Sequence, residues 1–289
     1  WECPDLFPLQ VNGSAETKWV LIVNINPGGP AGGSATQYFV GDFNGKEFVS
    51  SQSKTQWMDY GKDNYAGVTF DNIPSSDGRR IMIGWMSNWN YAGNVPTTSW
   101  RSTTTVPRAI TLVQKGPSLV LKSNPVTEMN SYINKTVTTL TQKANVLELT
   151  NNDIVKSGSY QLSFKADFTQ LDTLKITTGS VGAKMSIIFD KKYGTVTIDR
   201  SKSGLVNFNN VFANSSSYQS FSIGVDNKVD IRMLVDKTSI ELFWNNGEGA
   251  MTTLFFPIYQ YNFIRIDGGK LLPPITDFNL SGLNKSLMR

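Results

Sequence analysis

No histidine occurs among the 289 residues of the chain, and its one cysteine, Cys3, has no internal partner for a disulfide. Histidine-activated nucleophiles, histidine proton relays and the commonest metal-ligand sets are therefore excluded, which leaves carboxylates, lysine, tyrosine and hydroxyls for any chemistry. Tryptophan stands beside polar or charged residues at four places: Trp1-Glu2-Cys3-Pro4-Asp5, Trp57-Met58-Asp59-Tyr60-Gly61-Lys62-Asp63, Trp85-Met86-Ser87-Asn88-Trp89 and Trp100-Arg101-Ser102. Six of the seven tryptophans precede residue 125. A sugar ring stacks its C–H face on an aromatic ring while acids and amides bond its hydroxyls, so this mixture suits carbohydrate. The competing reading is that tryptophan and methionine simply fill a core, and composition alone favours it.

The elements that must position these residues read as strands. Apolar residues recur with a period of two, no long segment carries a helical stripe, and the expected fold class is all-β. Lys18 to Ile25 is a buried strand ended by the breaker run Asn26-Pro27-Gly28-Gly29-Pro30, and Gln37 to Phe43 is its expected hairpin partner. Asn44-Gly45 supplies a tight turn into Glu47-Phe48-Val49. Tyr65–Phe70, Arg80–Trp85 and Thr103–Leu112 add short strands at the spacing of a propeller or a sandwich. Near residue 125 the texture changes to Thr, Asn, Lys and Ser with cleaner alternation, as in Tyr160–Ala166, and a domain boundary is expected there. Asp230–Asp236, Ile240–Trp244 and Ala250–Phe256 then form a meander of sandwich type.

The net charge of +4 comes from 27 basic and 23 acidic side chains that never form a run of five or six, so nucleic acid is not an expected partner. No apolar stretch approaches the roughly 18 residues of a membrane span.

Several of these segments, taken in order, resemble the successive motifs of glycoside hydrolase family 32, the fructan β-fructosidases, levanases, exo-inulinases and invertases. They are Trp1-Glu2-Cys3-Pro4-Asp5, Asn26-Pro27-Gly28-Gly29-Pro30, Gln37-Tyr38-Phe39-Val40-Gly41, Asp59-Tyr60-Gly61-Lys62-Asp63, Gly84-Trp85-Met86-Ser87-Asn88-Trp89 and Trp100-Arg101-Ser102. Ile198-Asp199-Arg200-Ser201 and Val235-Asp236 through Ser239–Phe243 to Phe256-Pro257 are similar to its C-terminal part. The resemblance implies the last blades of a five-bladed β-propeller over residues 1–125, followed by a β-sandwich over residues 126–289. It implies retaining hydrolysis of terminal β-fructofuranosyl units, with two carboxyl groups about 5–5.5 Å apart, one the nucleophile and the other the acid/base.

By position the acid/base is Glu2, whose job needs a proton at working pH. The resemblance makes Asp59 a substrate-orienting acid with Lys62 as its charge partner, and Trp89 a wall of the sugar pocket. Trp85 is expected in the core, Cys3 is read as a small buried residue, and Arg101 is assigned no catalytic role. No metal or cofactor is implied. The expected substrate is a fructan or sucrose and the expected location extracellular or periplasmic, with a homodimer left open.

The family's nucleophile lies in an Asn-Asp-Pro-Asn-like motif, and a further acid in Arg-Asp-Pro; neither Asp-Pro-Asn nor Arg-Asp-Pro occurs here. Five blades of roughly 40–50 residues would also need roughly 200–250 residues. The chain is therefore expected to be the C-terminal part of a longer enzyme and inactive alone. A fructan-binding module and a fructosyltransferase are the alternatives.

Overall fold

The computed structural model describes residues 1–50, 52–214, 216–218, 221–224 and 226–284, with only the backbone of Ser217. Strands dominate it. The first half contributes β1 (Glu2–Gln10), β2 (Thr17–Ile25), β3 (Ala35–Phe43), β4 (Phe48–Val49), β5 (Gln56–Trp57), β6 (Tyr65–Thr69), β7 (Arg80–Trp85), β8 (Arg108–Lys115) and β9 (Ser118–Pro125). These make two antiparallel sheets, β1-β2-β3-β4 with β5 joined to β3, and β6-β7-β8-β9. Val20 and Ile22 alternate inward along β2 and are fully buried, as a half-buried strand requires. With Phe7, Tyr38 and Val40 they meet Met82, Ile110, Leu112 and Leu121 of the other sheet in one core.

In the second half come β10 (Ile133–Val137), β11 (Thr141–Lys143), β12 (Val146–Thr150), a single helical turn α1 (Asp153–Ser157), β13 (Tyr160–Asp167), β14 (Thr173–Ser180), β15 (Ala183–Asp190) and β16 (Thr195–Lys202). They are followed by β17 (Ser216–Tyr218), β18 (Lys228–Asp236), β19 (Ser239–Trp244), β20 (Gly249–Leu254), β21 (Phe263–Asp267) and β22 (Ile275–Leu283). One sheet runs β10-β22-β13-β18-β19-β20 and the other β11-β12-β21-β14-β15-β16-β17. Leu162, Phe164, Met233 and Leu242 of the first share a core with Ile176, Ile187, Ile198 and Ile266 of the second. The alternation of Tyr160, Leu162, Phe164 and Ala166, buried, with half-exposed Gln161 and Ser163 fixes which face of β13 turns inward.

Some local expectations are revised. Thr103–Leu112 is not one strand. The Thr105 amide bonds the Gly84 carbonyl and the Met86 amide the Thr103 carbonyl, then Pro107, which has no N–H, interrupts the ladder before Arg108. Asn44-Gly45 does not make a two-residue turn, because the Asn44 side chain accepts the amides of Lys46 and Glu47 at 2.9 Å and closes a four-residue loop. The sequence reading had no strand at β1, where Pro4 and Pro8 break the usual pattern; as an outer strand it tolerates both.

The halves join along β20, the outer strand of its sheet. An unpaired outer strand exposes a row of amides and carbonyls, and here residues 59–63 cover it. The Tyr60 amide bonds Ala250 O at 2.9 Å and the Asp63 amide bonds Thr252 O at 3.2 Å, while the Asp59 and Asp63 carboxylates accept the amides of Thr252 and Leu254 at 2.7 and 2.8 Å. Gly61 sits at the closest approach: a Cβ there would lie 2.1 Å from Thr252 O and 2.4 Å from Thr252 N. Backbone on both sides would have to move, so Gly61→Ala is expected to cost about 3 kcal/mol. A thermal melt should show Tm lowered by roughly 6–12 °C; an unchanged Tm would contradict this close contact.

Candidate active site

Glu2 begins β1 opposite Asn24 of β2, next to a bulge at which Cys3 takes φ +45°. Asn24 is buried and uses its whole side-chain amide. Its Nδ2 donates to the carbonyls of Cys3 and Gly67 at 3.3 and 3.2 Å, and its Oδ1 accepts from the Thr36 hydroxyl at 2.6 Å and the Gly67 amide at 2.9 Å. That one residue ties the bulge to β3 and β6, so Glu2 leaves the sheet at a fixed place. Farther along, Asp5 accepts the amide and hydroxyl of Thr69 at 2.8 and 2.6 Å, which binds β1 to β6 a second time.

The exposed Glu2 carboxyl receives the hydroxyl of buried Tyr65 on Oε2. Among the described residues no hydrogen bond reaches Oε1. Burial, and then the bond to Glu2, push the Tyr65 hydroxyl well above the ordinary phenol range, so it stays protonated and donates. Tyr65 pairs with Trp85 across β6 and β7, and the two rings meet edge to face at 6.2 Å. Trp85 in turn lies 5.0 Å from Trp89, tilted by 45°. Trp85 is thus the middle of an aromatic row rather than core. Trp89, at the end of the row, is 59% exposed.

The backbone around Trp89 is held closely. Its amide bonds the Ser34 hydroxyl at 3.0 Å, and the buried Asn88 side chain donates to Lys62 O at 2.8 Å and Gly32 O at 3.0 Å. Gly33 has φ +73°, and a Cβ on it would lie 2.2 Å from Asn88 Oδ1, so the glycine-rich loop can approach this closely only without a side chain there.

Glu2 and Trp89 are therefore linked through Tyr65 and Trp85, whereas Asp59 and Lys62 have other partners than expected. Asp59 is 2% exposed. Its carboxylate meets Arg108 Nη1 at 2.9 Å, accepts the Thr252 amide and hydroxyl, both at 2.7 Å, and accepts the Gly61 amide at 2.8 Å. Lys62 is not its charge partner. Its ammonium donates to Ala31 O at 3.0 Å in the glycine-rich loop, and burial together with the Arg200 charge lowers its pKa against the opposing pull of Asp63. Cys3 is exposed, not buried, because the bulge turns it outward. Arg101 bonds Gly93 O and holds its loop.

The reading from sequence missed Tyr65, Asn24 and Asn88, and gave Arg108, Arg200 and Glu241 no role. Tyr65 had a signal: with β6 and β7 paired, it falls beside Trp85. The arginines had none, since their acidic partners lie 49 to 137 positions away. Arg108 bridges Asp59 to Glu241, at 2.6 Å from the latter. Burial alone would lower its pKa, but Glu241 and Asp59 carry it above the ordinary value. Arg200 meets Asp63 at 2.6 Å and the Tyr91 hydroxyl at 2.8 Å. Arrayed this way, the site offers one positioned carboxyl group, a hydroxyl donor beside it and an exposed indole face. That set can transfer a proton and stack on a ring.

Comparison with known proteins identifies the family. The domain described as "Glycosyl hydrolases family 32 N-terminal domain" matches residues 1–123, and "Glycosyl hydrolases family 32 C terminal" matches residues 128–267. A levanase of Bacillus subtilis (strain 168) is 37% identical over 268 residues, covering 89% of this chain and 39% of the levanase. An extracellular exo-inulinase of Meyerozyma guilliermondii is 34% identical over 274 residues, covering 89% of this chain and 52% of its own length. The chain thus spans about half or less of the length of these relatives. In three dimensions it superposes on a β-fructofuranosidase of Schwanniomyces occidentalis complexed with fructosyl-erythritol, with a TM-score of 0.84 and 28% identity over 98% of this chain and 60% of that one. With both domains matched in order and the same backbone recovered, the chain belongs to glycosyl hydrolase family 32.

Proposed function

We propose that the chain is the C-terminal part of an exported, exo-acting fructan hydrolase, in which Glu2 is the acid/base and Trp89 a wall of the fructosyl pocket. The observation that carries this reading is the Glu2 carboxyl held by Tyr65 at one end of an aromatic row whose other end, Trp89, is open to solvent. Its relatives named levanase and extracellular exo-inulinase support a fructan substrate and export. No helix among the described residues is long and apolar enough to cross a membrane. The two sheets before residue 125 are then propeller blades, and the two after it a β-sandwich. Asp59 serves in joining the halves instead of touching substrate, and Lys62 holds the loop beneath Trp89.

In a retaining mechanism Glu2 protonates the departing oxygen while a second carboxylate attacks the anomeric carbon, and Glu2 then takes the proton of the entering water. The motif that carries that second carboxylate in the family does not occur in these 289 residues. The chain by itself is accordingly expected to release no fructose from sucrose, inulin or levan. Turnover by the purified chain at the rate of an intact levanase, followed as free fructose, would overturn this. Because Trp89 is exposed, binding without cleavage is the second reading. Titration calorimetry of the whole chain with inulin and levan should give heat that Trp89→Ala removes.

A further inference from the structure

Trp89 and its turn's contacts with Ser34, Gly32, Lys62 and Asp63 lie in the first half, yet the turn is also held from the second, through Tyr91 and Asn90. The amides of Tyr91 and Ala92 close on Asn88 O at 3.1 and 2.9 Å, making residues 88–92 one tight turn with Trp89 at its crest. Tyr91, the foot of that turn, is 1% exposed. Its hydroxyl donates to Asp63 at 2.6 Å and receives Arg200 Nη2 at 2.8 Å, and its ring meets Phe212 edge to face at 5.1 Å. Arg200 itself cannot shift independently. Its Nε donates to Phe212 O at 2.6 Å, Nη1 reaches Asp63, Thr253 Oγ1 and Leu254 O, and the guanidinium lies 3.8 Å from the centre of the Phe212 ring. A separate bond from the same side, Asn209 Nδ2 to Asn90 O at 2.9 Å, holds the residue next to Trp89.

We infer that Arg200 and Asn209 of the second half are positioning residues for Trp89, acting through Tyr91 and Asn90, so that the second half sets the geometry of the sugar wall. The inference rests on the reading of Trp89 as that wall. A ring that stacks on a sugar must be placed to within a fraction of an ångström, and misplacement by about 1 Å can cost as much as 10²-fold in a site's performance. Among the described residues the one ring that the exposed Trp89 indole meets is that of Trp85, so much of its placement falls to the turn beneath.

Two optical and magnetic signals read the placement of Trp89 without any sugar. Indoles 5.0 Å apart and tilted by 45° couple their transitions, giving a far-ultraviolet circular-dichroism couplet that Trp89→Phe should abolish. Fluorotryptophan-labelled protein adds a fluorine resonance for Trp89, assigned by its loss in the same variant. In the full chain, Tyr91→Phe and Asn209→Ala are each expected to weaken the couplet and to shift or split the Trp89 resonance. Asn209→Ala removes no buried charge partner and keeps the test valid if Tyr91→Phe folds poorly. Thr252→Val loosens the seam at Asp59 and Arg108 instead, and should leave both signals unchanged. Unaltered signals in Tyr91→Phe and Asn209→Ala, or equal changes in Thr252→Val, would overturn the inference. Titration with inulin then separates the two layers: about tenfold weaker binding in Tyr91→Phe is expected. A Trp89 resonance that ignores inulin in the unmodified chain would refute the wall and leave the positioning intact.

Discussion

Replacing Arg108 with methionine is expected to unfold most of the chain near physiological temperature. Arg108 is fully buried between the Asp59 and Glu241 carboxylates, with bonds of 2.9 and 2.6 Å, and also reaches the Thr252 hydroxyl at 2.7 Å. Methionine fills a similar volume but leaves two acids buried without a cation. Breaking a buried pair in this way costs about 3–5 kcal/mol, a large part of the roughly 5–15 kcal/mol that holds a domain folded. Burial already raises the Glu241 pKa even with Arg108 present. Without Arg108 the folded-state pKa of Glu241 would lie still further above the unfolded value, so between those values the folded chain binds more protons. Its stability then falls as pH rises and recovers as pH falls. The melting temperature of Arg108→Met should therefore climb from neutral toward about pH 5, whereas a packing defect alone would give no such recovery. Combining it with Asp59→Leu and Glu241→Leu should recover part of the stability, because the charges are removed together while the Gly61, Thr252 and Val106 amides lose their acceptors. A melt of Arg108→Met indistinguishable from the parent would show that the network contributes nothing.

If the chain is part of a longer fructan hydrolase, as proposed, Glu2→Gln in that whole enzyme is expected to lower kcat by roughly 10²–10⁴ on sucrose or inulin, whose leaving oxygens need a proton. Glutamine keeps the shape and can still accept the Tyr65 hydroxyl, so the site should stay assembled and KM change little. An aryl fructoside with an acidic leaving group needs no proton to depart, and its first, fructosyl-transferring step should be nearly unaffected. Pre-steady-state release of the aryl alcohol measures that step. Equal losses on both kinds of substrate would remove Glu2 from the acid/base role and leave it a merely structural one.

Much of this was readable in the sequence, and the reason is local. Alternation such as Tyr160, Leu162, Phe164 and Ala166 declares a strand and its buried face together, and Trp85 and Trp89 meet within one short motif, whereas the Glu2 carboxyl meets Tyr65, 63 positions away. The same logic failed for Asp59. Lys62 is three positions away and opposite in charge, yet the true partners, Arg108 and Thr252, lie 49 and 193 positions distant, and no local pattern announces a contact that depends on two halves meeting. Cys3 failed for a different reason: the expectation of burial rests on the chemistry having no use for a thiol, whereas Cys3 lies at a bulge where the residue is exposed.

The cover that residues 59–63 lay over β20 bears on how such proteins can be recombined. Two carboxylates, a glycine and two amides from one half are fitted to the backbone of Gly249–Leu254 in the other. A chimera cut near residue 125, pairing the front of one relative with the back of another, inherits a mismatched joint unless those two short segments travel together. Grafting them as a set is the smaller exchange, and the one expected to give hybrids that are soluble and whole.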